Sequence, residues 1–110
     1  ETARSMLRQM LEFGYGRGAE VFNYWLNGYP IAASNDDVKT LLLKRDNELM
    51  ILLTTWNSQP EQVQLKINTE ALGVSPARAY DVNTGEEVAF DGTTVTLDLD
   101  GYEVGLLRLK

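Results

Sequence analysis

Residues 62–68 read Gln-Val-Gln-Leu-Lys-Ile-Asn, and residues 94–100 read Thr-Val-Thr-Leu-Asp-Leu-Asp. In both stretches aliphatic and polar side chains alternate, which is typical of a β-strand with one face in a core and the other in water. Burial of the aliphatic side chains of these stretches would contribute on the order of 10 kcal/mol, at about 1.5–3 kcal/mol each. A slip of one residue would expose all of them. The two stretches therefore predict a half-buried antiparallel β-sheet.

Further strands are predicted around these two. Residues 48–56 are apolar on both faces, as expected of a central strand that is covered on both sides. A polar turn at residues 45–47 joins this strand to residues 38–44 in a hairpin. The remaining strands are predicted at residues 77–82, 86–90 and 103–109, and a single helical turn at residues 69–73. About seven short strands joined by turns predict a mainly β fold, an antiparallel β-sandwich.

The first 35 residues follow a different period. Apolar side chains recur at steps of three and four within residues 2–13, which predicts an amphipathic helix. Glycines between residues 14 and 18 end this helix, and residues 19–26 are predicted to form a second short helix. We therefore expect a helical lead-in over residues 1–35 and a β-sandwich domain over residues 36–110. The apolar residues of the first helix are Ala3, Met6, Leu7, Met10 and Leu11.

The lead-in carries more large apolar side chains than one short helical arm can bury against itself. The sequence begins at Glu1 rather than at a methionine, so we expect further protein upstream of it. We predict that the lead-in either covers one face of the sandwich or packs against a neighbouring domain, and the second alternative is favoured. Its large apolar side chains are Met6, Met10, Phe13, Tyr15, Phe22, Tyr24, Trp25 and Tyr29. The predicted interface residues are Phe22, Tyr24, Trp25 and Tyr29.

The composition restricts the classes of partner. The chain has 110 residues, with 16 acidic and 10 basic side chains and a net charge of −6. Such a surface repels the phosphates of nucleic acids and of anionic membranes. No apolar run approaches the roughly 20 residues that a membrane-spanning helix needs. We therefore expect neither nucleic acid nor a membrane as a partner.

The side chains that most often carry out catalysis are missing or scattered. The chain has neither histidine nor cysteine, which excludes Ser-His-Asp and Cys-His nucleophiles and nearly every zinc site. The glycine-rich residues 14–18 follow a predicted helix and lack the spacing of a dinucleotide site. Asp98 and Asp100 are roughly 7 Å apart on a strand, between the two separations used by glycosidases, but an exposed strand face offers them no pocket. We predict no catalytic residue, no metal site and no cofactor.

Flat aromatic side chains are the remaining candidates for a binding surface, because sugar-binding modules stack pyranose rings on them. Trp56 follows the most hydrophobic strand, whereas Tyr80 and Tyr102 lie singly in other parts of the chain. Because Trp56 comes at the end of that strand, packing in the core or at the end of the sandwich is favoured over sugar binding for this residue. The candidate carbohydrate-binding residues are Trp56, Tyr80 and Tyr102.

The chain has a predicted amphipathic helix, followed in order by residues 13–25 (FGYGRGAEVFNYW), 49–57 (LMILLTTWN) and 63–67 (VQLKI). It resembles the C-terminal end of bacterial glycoside-hydrolase-like proteins, particularly those related to glycoside hydrolase family 123. The resemblance implies a β-sandwich that follows a (β/α)₈ barrel, with the catalytic acids in the barrel. It also implies that residues 1–29 connect to that barrel, which becomes the expected partner, and that the parent protein is exported.

Three functions follow from these observations. The first is a non-catalytic C-terminal accessory sandwich that braces the catalytic barrel of a larger glycoside-hydrolase-like protein. The second is an independent carbohydrate-binding module that uses the aromatic residues named above, with a glycan as partner. The third is a protein-interaction sandwich that pairs through an edge strand, although lysine and arginine residues are scattered over the candidate edges.

Overall fold

The computed structural model describes residues 8, 11–13, 20–23, 29–35, 38–55, 59–82, 85–99 and 104–110. Within these residues the chain forms nine β-strands and one four-residue helix, α1 (Thr69–Leu72), and residues 8 and 11–13 are also helical. No helix in this part of the chain is long and apolar enough to cross a membrane. The strands are β1 (Glu20–Asn23), β2 (Ile31–Ala33), β3 (Val38–Arg45), β4 (Glu48–Thr55), β5 (Glu61–Ile67), β6 (Ala79–Asp81), β7 (Glu87–Phe90), β8 (Thr94–Leu99) and β9 (Val104–Leu109).

All nine strands belong to one antiparallel sheet with the order β1-β3-β4-β9-β6-β7-β8-β5-β2. The sheet curls around a single inner core and nearly closes into a barrel. The Tyr29 hydroxyl, just before the end strand β2, lies 2.7 Å from the Thr40 hydroxyl oxygen on β3, which is the neighbour of the other end strand, β1. This hydrogen bond bridges the gap between β2 and β3.

The prediction of a mainly β, antiparallel fold is confirmed, but the architecture is not a sandwich of seven strands. Two strands beyond the expected ones, β1 and β2, form the ends of the sheet. The two halves are also continuous, because β7 pairs with β6 at Glu87 and Val88 and with β8 at Ala89 and Phe90. One short strand thus connects what would otherwise be two separate layers.

The prediction of a second helix over residues 19–26 is wrong for the four of these residues that the structure describes, because residues 20–23 form strand β1. This strand pairs with β3 and sets Phe22 opposite Leu42, so that Phe22 packs against the inner core. Lys44 Nζ lies 3.6 Å from Glu20 Oε1 at the start of the strand. Strand β2 also comes from the predicted lead-in and pairs with β5. These parts of the lead-in therefore belong to the sheet.

The predicted alternation of the two deciding stretches is confirmed. Within β5 and β8 the inward side chains are buried, except for Leu97, which is half-buried. Strand β4 is central, between β3 and β9, and its side chains are buried on both faces as predicted. The helical turn is confirmed as α1, which begins after Asn68 and ends at Gly73. The fully buried side chains of the inner core include Leu42, Leu49, Ile51, Leu53, Val63, Leu65, Ile67, Val95 and Leu109.

Candidate interdomain interface

A second apolar cluster lies on the outer face of the sheet, opposite the inner core. It consists of Leu43 on β3, Met50 on β4, Leu106 on β9 and Phe13 from the N-terminal helix. Each is buried, Phe13 to 4% exposure. Strands β3, β4 and β9 carry apolar side chains on both faces, so their outer face requires a cover. The helix that contains Phe13 provides part of it. We call this set the outer cluster.

Two arginines of the sheet hold Phe13 in place. Arg45 Nη1 donates a hydrogen bond of 3.2 Å to the carbonyl oxygen of Phe13. The guanidinium of Arg108 lies over the Phe13 ring, 5.4 Å from its centroid. A cation is favourable both at the carbonyls that end a helix and over the face of an aromatic ring. The glycine-rich sequence after Phe13 predicts that the helix ends here, so Arg45 lies where a cation is stabilising.

The Arg108 guanidinium is itself fixed by Glu48. Its Nε and Nη2 atoms donate hydrogen bonds of 3.0 and 2.7 Å to Glu48 Oε1. Both side chains are 38% exposed, and an exposed ion pair alone contributes only about 0–1 kcal/mol. Its main effect is therefore to orient the guanidinium over Phe13.

The other side of the same helix faces away from the sheet. Arg8, Leu11 and Glu12 are all exposed, and Leu11 is the large apolar side chain that remains 45% exposed among the described residues. The helix therefore contacts this domain through Phe13 and presents Leu11 outward.

The predicted interface residues fall into two groups. Phe22 and Tyr29 are half-buried and pack against the inner core of this domain. Burial raises the pKa of the Tyr29 hydroxyl, against the opposing effect of its hydrogen bond to Thr40. Tyr24 and Trp25 lie outside the described residues. Phe13, one of the lead-in side chains for which the sequence left two alternatives open, covers the outer face of this domain's own sheet. It follows Met6 and Met10 at the helical spacing of four and three residues.

The predicted carbohydrate-binding residues are described only in part. Trp56 and Tyr102 lie outside the described residues. Tyr80 is half-buried on β6, and Lys110 Nζ lies 5.5 Å from its ring centroid. A side-chain hydrogen bond with Tyr80, followed by the charge of Glu87, raises the pKa of Arg78. Both the ring and the hydroxyl of Tyr80 thus have partners within the domain.

Of the described carboxylates, Asp81 and Asp98 line a common depression of about 380 Å³ whose other side chains are mostly apolar. Glu86, Glu87 and Asp98 are all exposed, whereas Asp36, Asp37 and Asp100 lie outside the described residues. No group of three or more carboxylates within the described ranges is arranged to hold a metal ion. The outer cluster, with the helix docked on it, is therefore the best-defined candidate site.

Solved structures with a similar fold occur in enzymes that act on sugars. The AmyP E221Q variant in complex with maltotriose shares 18% sequence identity with this chain. The match covers 88% of this chain and 17% of the AmyP chain, with a TM-score of 0.61. A GH27 β-L-arabinopyranosidase from Geobacillus stearothermophilus shares 16% identity. The match covers 76% of this chain and 20% of the arabinopyranosidase chain, with a TM-score of 0.55. A Bacteroides fragilis protein assigned provisionally as an α-galactosidase/melibiase shares 26% identity. The match covers 69% of this chain and 16% of the Bacteroides chain, with a TM-score of 0.53.

This chain thus spans at most about a fifth of the length of these solved chains. No curated protein matches it. The family model described as "Glycoside hydrolase 123, C-terminal domain" matches residues 3–90, which confirms the resemblance seen in the sequence. Since the match covers most of the chain and runs from the N-terminal helix into β7, the chain belongs to the family of glycoside hydrolase 123 C-terminal domains.

Proposed function

We propose that this chain is a non-catalytic accessory domain that braces the catalytic barrel of a larger glycoside hydrolase through the docked N-terminal helix. The observation that carries the proposal is the burial of Phe13 in the outer cluster beneath Arg108, with Arg45 bonded to its carbonyl. A helix attached at this point cannot swing freely. Whatever precedes it in the parent chain is then held at a fixed angle to the sheet.

A helix that is already docked on the sheet would have less conformational freedom to lose when the two domains meet, and this is the physical advantage of the arrangement. A flexible connection costs conformational entropy when it is ordered, and domains joined by small interfaces move relative to each other. Here the described end of the helix, at Phe13, is held on the sheet by apolar burial and by two cationic contacts. The outward side of the helix, with Leu11, is then free to contact the barrel.

The proposal assigns no hydrolysis to the chain itself. A glycosidase needs two carboxylates on either side of the scissile bond, about 5–10 Å apart. Asp98, which lines a depression together with Asp81, is exposed to water and so lacks the enclosed environment of a catalytic acid. We expect the 110-residue chain to release no chromophore from aryl glycosides. Turnover by the purified chain, proportional to its concentration, would refute the proposal.

The bracing role is tested in the full-length parent enzyme by scanning calorimetry. A Leu11→Glu variant places a charge on the outward side of the helix, where the isolated chain should tolerate it within about 0.5 kcal/mol. In the parent enzyme we expect the coupled unfolding of barrel and accessory domain to separate into two transitions. Gln62→Ala, on the exposed face of β5, is the control and should leave a single transition. Unchanged coupling in the Leu11→Glu enzyme would contradict the proposal.

A further inference from the structure

A second feature lies far from the outer cluster in the topology, beside the edge strand β2. It is an open depression of about 500 Å³, formed where the ends of β2, β5 and the start of α1 meet. A volume of this size is within the range of small-molecule sites, roughly 300–1,000 Å³. The side chains that matter most for its chemistry are Tyr29, Ala32, Lys66, Asn68, Glu70 and Thr93.

The walls of the depression are held together by short backbone hydrogen bonds. The amide of Asn68 donates to the carbonyl of Pro30 at 2.7 Å, and the amide of Ile67 donates to the carbonyl of Thr93 at 2.7 Å. The Asn68 side chain then accepts from the amide of Ala71 at 3.1 Å and starts α1, which places Glu70 in the wall of the same depression as Lys66. Three segments distant in sequence are thereby fixed before any ligand arrives, which lowers the entropic cost of binding.

The aromatic wall is also fixed. The Tyr29 hydroxyl is bonded to Thr40 at 2.7 Å, and the ring packs against the inner core while it lines the depression. The cross-strand partner of Lys66 is Ala32, whose short side chain leaves the space beside the lysine open. An aromatic surface therefore stands next to groups that donate and accept hydrogen bonds.

The charge of this wall selects the class of ligand. It carries one cation, Lys66, and one anion, Glu70, so a ligand of either sign meets one repulsive partner. The net charge of −6 further disfavours an anion. A ligand with an apolar face for the ring and several neutral hydroxyl groups for the ammonium, amide, carboxylate and threonine side chains satisfies all of these features. We propose that this depression binds a neutral saccharide.

The proposal is independent of the bracing role, because it uses none of the residues of the outer cluster. It also differs from the sugar-binding surface predicted from the sequence, which placed the ring contacts at Trp56, Tyr80 and Tyr102. Here Tyr29 supplies the ring, Lys66 donates to a sugar hydroxyl, and Glu70 accepts from one.

The test is an NMR titration of the ¹⁵N-labelled 110-residue chain with defined sugars. The neutral probes are maltotriose, galactose and N-acetylgalactosamine, and the charged probes are glucuronic acid and glucosamine. We expect saturable shifts for at least one neutral probe with a Kd on the order of 1 mM, centred on the amides of Lys66, Asn68, Glu70 and Thr93. We expect no saturable shifts at these amides for the charged probes.

Three variants identify the site. Glu70→Gln keeps the shape and removes the charged acceptor, so binding should weaken about tenfold. Ala32→Ile fills the open space with a residue that suits a strand and should abolish binding. Gln64→Ala changes an exposed residue on the same face of β5 and should leave the affinity unchanged.

The proposal is overturned if no neutral probe produces saturable shifts, or if the shifts centre on Tyr80 and Lys110 instead. Equal affinities in the Glu70→Gln and Gln64→Ala variants would also overturn it. The spectrum of each variant without sugar reports whether the fold is intact, so that loss of binding is not confused with unfolding.

Discussion

Phe13 and Leu11 lie two residues apart on one helix and have opposite surroundings. Phe13 is 4% exposed in the outer cluster and Leu11 is 45% exposed. Truncation of a buried aromatic side chain removes its burial and leaves a cavity. We expect Phe13→Ala to lower the free energy of unfolding by about 3 kcal/mol, measured by urea unfolding of the 110-residue chain.

Leu11→Ala is the matched control for this prediction. Alanine is an excellent helix former, and the side chain that is lost is largely in water, so the free energy of unfolding should change by less than about 0.5 kcal/mol. A Phe13→Ala variant as stable as the Leu11→Ala variant would show that the helix does not dock on the outer cluster in solution.

Asp91 is a described residue at which acid should affect the stability of the fold. Its carboxylate accepts hydrogen bonds from the backbone amides of Thr93 and Thr94, at 3.0 and 2.7 Å. These two hydrogen bonds hold the pKa of Asp91 below its ordinary value of 3.8, and the bond from Thr93 has the larger effect. A lowered pKa stabilises the fold above the unfolded value, and this contribution is lost as the pH falls through the lower folded value.

We therefore expect unfolding experiments to show a loss of stability below about pH 4 that is smaller in the Asp91→Asn variant. Asparagine keeps an acceptor oxygen in the turn between β7 and β8 but does not titrate. Identical acid profiles for the wild type and the variant would exclude Asp91 as a source of the acid dependence.

At the level of elements, α1 shows how a short helix depends on its two ends. The Asn68 side chain accepts the amide of Ala71 at its start, and Gly73 ends it with φ +68°. An L-residue with a Cβ atom is strained in this left-handed region, and asparagine tolerates it best. We expect Gly73→Ala to cost about 1 kcal/mol in chemical unfolding, and Gly73→Asn to cost clearly less. Equal stabilities of the two variants would contradict this assignment.

Most strands could be predicted from the sequence because their side chains alternate or are bounded by turns. The turn at residues 45–47 and the alternation of β5 and β8 are local signals, and the structure has them where they were predicted. Residues 20–23 carried no such signal. A run of four residues with Val21 and Phe22 fits both periods, and its pairing with β3, more than 15 residues further along the chain, decides for a strand.

Only part of the outer cluster could be predicted from the sequence, namely the need for a cover on the outer face of the sheet. The apolar character of residues 48–56 on both faces required a cover on the outer side, and the structure confirms that β4 is buried on both faces. The lead-in with Phe13 was one of two alternatives for this cover. The sequence could not decide between them, because the cluster of Phe13 with Leu43, Met50 and Leu106 joins residues that are distant in sequence. The depression at Tyr29 was missed for the same reason, since three separate segments form it.

At the level of the whole molecule, the strand order places β9 at an internal position. β9 comes last in sequence but pairs with β4 on one side and β6 on the other. Its Leu107 and Leu109 enter the inner core, and Leu106 enters the outer cluster. Both apolar clusters therefore depend on it.

We expect a chain truncated after residue 103 to lose cooperative urea unfolding, because β4 and β6 each lose one of their two partner strands and both clusters lose buried leucines. The full-length Leu109→Ala variant is the comparison. It keeps the backbone pairing and should still unfold cooperatively, with a free energy lower by about 2–5 kcal/mol. Cooperative unfolding of the truncated chain would show that the sheet closes without β9.

The internal position of β9 has a consequence for biosynthesis. β3, β4 and the strands up to β8 are synthesised before β9, which joins β4 to β6, so the barrel cannot close until β9 follows. The nascent domain must wait until β9 has left the exit tunnel. In the cell, its unpaired strand edges are then the surfaces that chaperones have to shield.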